Sequence, residues 1–307
     1  MKISIIIPAY NEEDNINKIY SEIRNVLKGS DYFYEIIFVN DGSTDNTERR
    51  ILELIESDDN VKLISFSKNF GHMSALIAGY NHSNGDAVIT MDCDLQHPPA
   101  LIKDLINKWR EGFEIVNTLR IDKSQKNIFK KYSSKYYYKF FGLISDVPLE
   151  KGCADYRLID KKVLREINEL KEHELFLRGI FYWLGFRKTS ITYIPNDRYS
   201  GKTKYSLKKM THFALNGITS FSTLPLKMVT TLGFWISGLA FIYMGYTLYS
   251  YLFLRNVISG WTSIMISILF LGGVQLVAIG VLGEYIGRIF IESKNRPRYI
   301  VRLKKGL

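Results

Sequence analysis

The stretch AVITMDCDLQHPP, Ala87 to Pro99, runs apolar residues straight into two acids two positions apart, Asp92 and Asp94, with Gln96 following. A hard divalent cation such as Mg2+ or Mn2+ takes oxygen ligands, commonly one or two carboxylates with phosphate oxygens and water completing the shell. If strand geometry continues through the stretch, Asp92, Asp94 and Gln96 point to one side and Cys93 to the other. Gln96 then adds a neutral oxygen. The pattern is short, and helix capping is an equally simple reading, with Asp94 or Gln96 preceding a helix that starts near Pro98. On these residues alone both readings stand.

The elements that must position these acids alternate along the first part of the chain. ISIIIPAY precedes a helical pattern from about Glu12 to Lys28, YEIIFVND one from about Thr44 to Glu56, and VKLISFS one from about Met73 to His82, before AVITMD. Continuous apolar strands alternating with helices predict an α/β domain whose sheet is mostly parallel and buried on both faces. In such sheets ligands bind beyond the carboxyl ends of the strands. Pro8, Tyr10 and Glu12, then Asp41, then Asp92, Asp94 and Gln96 lie at three of those ends and are expected to meet in one crevice. An aromatic face and acids at these positions suit a base and a ribose. His72 and His97 are assigned hydrogen-bonding or surface roles. Gly152 to Asp160 reads as a strand or turn carrying Asp155.

The charge is unevenly distributed. Met228 to Leu254 and Asn256 to Gly283 contain no charged residue, and each exceeds the roughly 20 apolar residues a membrane-crossing helix needs. Only Arg255 is basic between them, whereas lysines and arginines crowd both flanks, so the positive-inside bias places both ends of the hairpin in the cytoplasm. MKISIIIPAYNEE has only a short apolar run broken by Pro8 and acids, unlike a secretory signal. The net charge of +10 lies largely beside the expected membrane surface, which favours anionic lipid over nucleic acid as the partner. Cys93 and Cys153 form no metal-binding cluster and read as plain thiols. The expected organisation is a cytosolic catalytic domain (1–204), an amphipathic interfacial segment (205–227), two transmembrane helices with a short outside hairpin (228–288) and a basic cytosolic tail (289–307).

PAYNEE at Pro8 to Glu13, VNDGSTDNT at Val39 to Thr47, SKNFGHMSALIAGY at Ser67 to Tyr80 and MDCDLQHPP at Met91 to Pro99 resemble the family 2 glycosyltransferases of GT-A (Rossmann-like) fold. With GCADYRLID, RYSGKTKY at Arg198 to Tyr205 and two C-terminal spans, the resemblance narrows to polyprenyl-phosphate glycosyltransferases and covers essentially the whole chain. It implies that Pro8, Tyr10, Glu12 and Asp41 hold the nucleoside, and that Asp92 and Asp94 bind the diphosphate through Mg2+ or Mn2+ with Gln96 assisting. Arg198 or Lys204 is implied to stabilise the leaving group. Asp155 matches a position proposed as base or acceptor orienter, with orientation or metal-side electrostatics the preferred reading and an ordinary strand-end acid paired with Arg157 the alternative. Arg120 matches an arginine that meets the acceptor phosphate. Where a second such arginine is usual, this chain has Lys130 and Lys131, which offer a point charge without the bidentate fork.

The resulting expectation is an inverting transfer of one hexose, with UDP-glucose the leading donor, to undecaprenyl phosphate at the cytoplasmic face of a bacterial inner membrane. A processive polysaccharide synthase would be expected to carry a Q-x-x-R-W motif and more spans, and the sequence has neither. A catalytically silent membrane scaffold would not need the acidic motif, Asp155 or RYSGKTKY. Membrane lipid is an expected partner. A homo-oligomer, tetrameric in some relatives, is a further expectation, because RYIVRL at Arg298 to Leu303 is a strand-like segment able to pair with a neighbouring copy.

Overall fold

The computed structural model describes residues 1–121, 152–173, 175–196, 223–249, 253 and 260–307. Lys130, Lys131, Arg198, Lys204 and most of the expected interfacial segment lie outside the described residues. The chain divides into two compact units, Met1–Ala214 with Arg296–Leu307, and Leu215–Asn295.

The first unit is built on an eight-stranded sheet. In chain order its elements are β1 (Lys2–Ala9), α1 (Ile16–Leu27), β2 (Phe33–Asn40), α2 (Thr47–Ile55), β3 (Val61–Phe66), α3 (His72–His82), β4 (Ala87–Thr90), α4 (Leu101–Arg110), β5 (Ile115–Arg120), β6 (Cys153–Asp160), α5 (Lys161–Glu169), α6 (Leu177–Trp183) and β7 (Lys188–Tyr193), completed by β8 (Val301–Lys305). The strand order is β7-β5-β6-β4-β1-β2-β3-β8. Pairs β1–β2, β1–β4, β2–β3 and β5–β7 are parallel, whereas β4–β6, β5–β6 and β3–β8 are antiparallel.

The apolar runs seen in the sequence are the buried strands. Ile3, Ile5, Ile6, Ile7, Ile36, Ile37, Phe38 and Val39 have no exposed surface. Helix α1 covers the sheet with Ile16, Ile19, Tyr20, Ile23 and Leu27, the spacing of one helical face. Antiparallel β6 matters most for the site. Because it runs against β4, pairing Thr90 with Arg157, its first residues, including Asp155, reach the same edge as the carboxyl ends of β1, β2 and β4.

The tail expected at 289–307 divides. Its first residues continue the second long helix to Ser293, while β8 pairs Leu63, Ile64 and Ser65 with Lys305, Lys304 and Leu303. The strand anticipated for pairing with another copy thus closes the edge of its own sheet. An open β3 would leave a row of unpaired backbone groups. Tyr299 fastens the approach, stacking on Phe66 at 5.0 Å and accepting from Asn81 Nδ2 at 2.9 Å.

The second unit contains α7 (Leu224–Tyr249) and α8 (Trp261–Ser293). Both are long and apolar enough to cross a membrane. Their large apolar residues face outward, with Phe234 80%, Trp235 72% and Phe241 74% exposed, unlike the core helices of a soluble domain.

Candidate active site

The acidic stretch departs from extended geometry. Strand β4 ends at Thr90, the chain turns at Cys93 and Asp94, and Leu95 takes a left-handed backbone with φ 62°. A γ-branched residue rarely adopts that conformation, and burial of Leu95 to 5% exposure in the core holds it there. The parity argument therefore stops one residue short of the acids. The Asp92 side chain is 39% exposed, whereas Asp94 is buried and its Oδ1 accepts from the Gln96 amide at 3.1 Å. Cys93 is buried in the core. The capping alternative also falls, since α4 has Ala100 at its N-cap position with no side-chain cap bond.

Two histidines flank Asp92. His97 accepts at Nδ1 from the Asp92 amide at 3.0 Å, which leaves Nε2 as the donor of the neutral ring, 3.7 Å from Asp92 Oδ2. His97 is fixed by stacking on Tyr156 at 5.0 Å. His72, the first residue of α3, places Nε2 3.6 Å from Asp92 Oδ1 and 3.9 Å from Asp155 Oδ2. These separations exceed hydrogen-bond lengths. Among the described residues no three His, Cys, Asp or Glu side chains stand close enough to hold a metal ion by themselves. A half-exposed carboxylate at a strand end does fit a hard cation that keeps water and phosphate oxygens as its other ligands.

Gln96 joins Arg120 through its side chain and Asp94 through its backbone N–H. Arg120 Nη1 donates to Gln96 Oε1 at 3.3 Å. Arg120 ends β5, and its amide donates to Gly152 O at 2.9 Å. Gly152 has φ 80°, and a side chain there would stand 2.8 Å from the Arg120 carbonyl oxygen, so only glycine lets β6 begin this close to Arg120.

On the other side of the edge, the loops after β1 and β2 are sewn together. Asn11 donates through its amide to Ser43 Oγ at 2.9 Å and accepts at Oδ1 from the Thr44 amide at 2.8 Å. Glu12 accepts from Asn15 Nδ2 at 2.6 Å. Pro8 is buried in β1, and Tyr10 is half-buried just beyond it. Asp41 turns its carboxylate to backbone amides, accepting from Phe70 at 2.6 Å and from Gly71 at 3.0 Å. Burial pushes the Asp41 carboxyl up, and these two amides offset only part of the effect. Gly42, φ 66°, makes the approach possible: a Cβ there would stand 2.3 Å from the Lys68 carbonyl carbon. Asp41 thus shapes the loop bordering the crevice in addition to any ligand role.

Asp155 sits in a cage of cations. Arg178 from α6 grips it with both ends of its fork, Nε to Oδ1 at 3.0 Å and Nη2 to Oδ2 at 2.9 Å, and Arg157 Nη2 stands 3.3 Å from Oδ1. Burial alone would raise the Asp155 pKa, but Arg178 first and Arg157 second hold it well below the usual carboxylate range. A carboxylate so stabilised is a weak proton acceptor. Sequence reasoning singled out Asp155 and its pairing with Arg157 but missed Arg178, because LRGIFYW gives no sign that Arg178 faces the site. Of the two histidines assigned hydrogen-bonding or surface roles, His97 is hydrogen-bonded and His72 is 40% exposed beside Asp92 and Asp155.

Residues 4–167 match Glycosyl transferase family 2, and residues 224–289 match the GtrB C-terminal hairpin. A bactoprenol glucosyl transferase of Shigella phage SfV is 43% identical over 305 residues, 99% of this chain and 99% of the relative. The uncharacterized glycosyltransferase YkcC of Bacillus subtilis (strain 168) is 41% identical over 307 residues, 100% of this chain and 95% of the relative. Among solved structures, mannosyl-3-phosphoglycerate synthase from Rubrobacter xylanophilus shares the fold at a TM-score of 0.50 and 14% identity, over 72% of this chain and 73% of that one.

Proposed function

The chain belongs to glycosyl transferase family 2, and we propose that it transfers a single hexose, with inversion, from a nucleotide sugar to undecaprenyl phosphate at the cytoplasmic face of the membrane. UDP-glucose is the donor this reading favours, in keeping with relatives named bactoprenol glucosyl transferases. The observation that carries it is the joining, in one chain, of carboxylates and an arginine at the carboxyl edge of the sheet to two helices long and apolar enough to cross a membrane.

In the reaction an oxygen of the lipid phosphate attacks the anomeric carbon from the face opposite the nucleoside diphosphate, whose bond to that carbon breaks and which leaves as an anion. A phosphate monoester is already ionised near neutral pH, its second pKa being about 6, so no strong base is required. Asp155, pinned by Arg178, is assigned an orienting role. Asp92, with Asp94 ordering the turn beneath it, is assigned the divalent cation, Mg2+ or Mn2+. When bound, that cation supplies charge stabilisation to the departing diphosphate. Arg120 is assigned the acceptor phosphate, with Gln96 steadying its guanidinium at 3.3 Å. Pro8, Tyr10 and Glu12 border the nucleoside position, with Arg198 and Lys204 assigned to the leaving group and Lys130 and Lys131 to the acceptor. Both termini are placed in the cytoplasm by the basic flanks of the hairpin.

The test is incubation of the purified full chain with undecaprenyl phosphate, Mg2+ or Mn2+, and a panel of UDP- and GDP-sugars. A lipid-linked monosaccharide from one donor is expected, and its absence with every donor would sink the proposal. Equal product from Asp92→Ala and Asp94→Ala alike would remove the assignment of the acidic stretch to the metal and diphosphate.

A further inference from the structure

Just past the end of β4, the Met91 amide still donates to the neighbouring strand, to Ile6 O at 3.1 Å. The next amide, that of Asp92, donates to a side chain instead, His97 Nδ1 at 3.0 Å. His97 thus takes the place of a sheet neighbour at the first position beyond the pairing. Its side chain is 8% exposed and is held by aromatic rings, stacking on Tyr156 at 5.0 Å and meeting Tyr193 edge-on at 6.0 Å. The chain on either side of it is tied down as well. Gln96 O accepts from the Asn196 amide at 3.3 Å, and Pro98 O from the Tyr156 hydroxyl at 3.0 Å.

A ring used only for packing needs no nitrogen near Asp92, and this ring brings both nitrogens there. With Nδ1 accepting, the neutral imidazole carries its proton on Nε2, which stands 3.7 Å from Asp92 Oδ2. That separation exceeds a hydrogen bond, so the ring faces the carboxylate without occupying it. His72 Nε2, 3.6 Å from Oδ1 on the other flank, does the same. We propose that His97 is a positioning residue for the divalent-cation site. It fixes the peptide plane that precedes the Asp92 side chain, and so the direction of the carboxylate, while leaving both carboxylate oxygens to the ligand. An aspartate that is 39% exposed beyond a strand end gains a set orientation in this way. Groups that orient a metal ligand from behind carry about 10- to 100-fold in metal affinity.

This inference rests on the assignment of Asp92 to the cation under the sugar-transfer reading. The experiment measures binding of Mn2+ in the presence of UDP to the full chain in detergent, followed by electron paramagnetic resonance, beside turnover and a thermal melt. His97→Phe keeps the ring stacking and loses the acceptor. His97→Asn loses the stacking and keeps an acceptor oxygen on the same γ carbon. His97→Phe is expected to weaken Mn2+ about 10- to 100-fold and to leave the affinity for undecaprenyl phosphate unchanged. His97→Asn is expected to recover most of that loss although it melts lower. A role in packing alone gives the reverse order, with His97→Phe binding Mn2+ like the wild type, and that result overturns the proposal. NMR of the ring nitrogens in the wild type, with His97 identified by its proximity to the Tyr156 ring, needs no variant to fold. It is expected to show Nδ1 bare and Nε2 protonated, and the opposite tautomer overturns the proposal as well. Variants that follow the expected order, in a protein that forms no product from any donor, defeat the transfer reading and leave His97 standing. A wild type that binds no Mn2+ with UDP defeats the cation assignment and His97 with it.

Discussion

Two buried carboxylates in this molecule are each held by two cations, at opposite ends of the same sheet. Glu35 lies near the amino ends of β1 to β4, ion-paired to Lys2 at 2.6 Å and Lys62 at 2.8 Å, and accepts from Ser4 Oγ at 2.6 Å and the Asn84 amide at 2.9 Å. Asp155 lies at the carboxyl edge with Arg157 and Arg178. Burial would raise both pKa values, and in both the partners win: Glu35 falls to about 2 and Asp155 is also strongly depressed. A perturbed carboxylate is therefore no mark of function by itself. The difference lies in what surrounds the cage. Lys2 keeps 36% of its side chain in solvent, so its excess charge is hydrated, and no further titratable cluster adjoins Glu35 among its described partners. Arg157 is sealed, and His72 and Asp92 stand beside Asp155.

The comparison is broken most forcefully by exchanging which end affects turnover. Asp92→Asn, at the carboxyl edge, is expected to reduce turnover by about 10³-fold, in line with the loss of a principal electrostatic contact to a leaving group. Its melting temperature should be little changed, since the side chain is 39% exposed. Steady-state kinetics beside a thermal melt checks both. Near wild-type turnover would return Asp92 to the same structural status as Glu35.

Glu35→Gln should act in the opposite way, costing about 3 kcal/mol of stability by leaving two lysines around a neutral group, with turnover per folded molecule unchanged. Its pH dependence has a fixed sign. The folded pKa, about 2, lies below the usual 4.5, so the stabilisation is fully present above pH 4.5 and is lost as pH falls toward 2, amounting to about 3 kcal/mol. Urea titrations from neutral pH downward should show the gap between wild type and Glu35→Gln narrowing across that window. A gap constant with pH would show that Glu35 stabilises by packing alone.

The two ends were not equally legible in the sequence. The parallel core and the gathering of polar strand ends at its carboxyl edge followed from runs such as ISIIIPAY and YEIIFVND, because a strand buried on both faces must be apolar throughout. The antiparallel β6 that delivers Asp155, and the return of β8 to the sheet edge, depend on long-range pairing that local pattern does not encode. Asp92 and Asp94 were identified as chemistry, but their different exposure follows from the strand ending at Thr90 and the chain turning at Cys93 and Asp94, of which the residue types give no warning. Arg178 and the Glu35 cage were invisible for a common reason. A charged side chain in an amphipathic segment looks like surface until its partner, 23 residues away for Arg178 and Asp155, is known.

The smallest effect separates the two lysines of the Glu35 cage. Lys62 has 13% of its side chain exposed and Lys2 has 36%. Both contact Glu35 Oε2 at nearly the same distance, so solvent screening rather than geometry should set their contributions. Lys62→Met is expected to cost about 1–2 kcal/mol, as for a largely buried pair that retains one cation, and Lys2→Met below about 1 kcal/mol, the range of exposed ion pairs. Added salt should diminish the Lys2 effect more than the Lys62 effect. Chemical denaturation of both variants at low and high ionic strength measures the contrast. Equal costs with equal salt dependence would mean that the cage is sealed on both sides, which would remove the hydration argument distinguishing it from the arginine cage of Asp155.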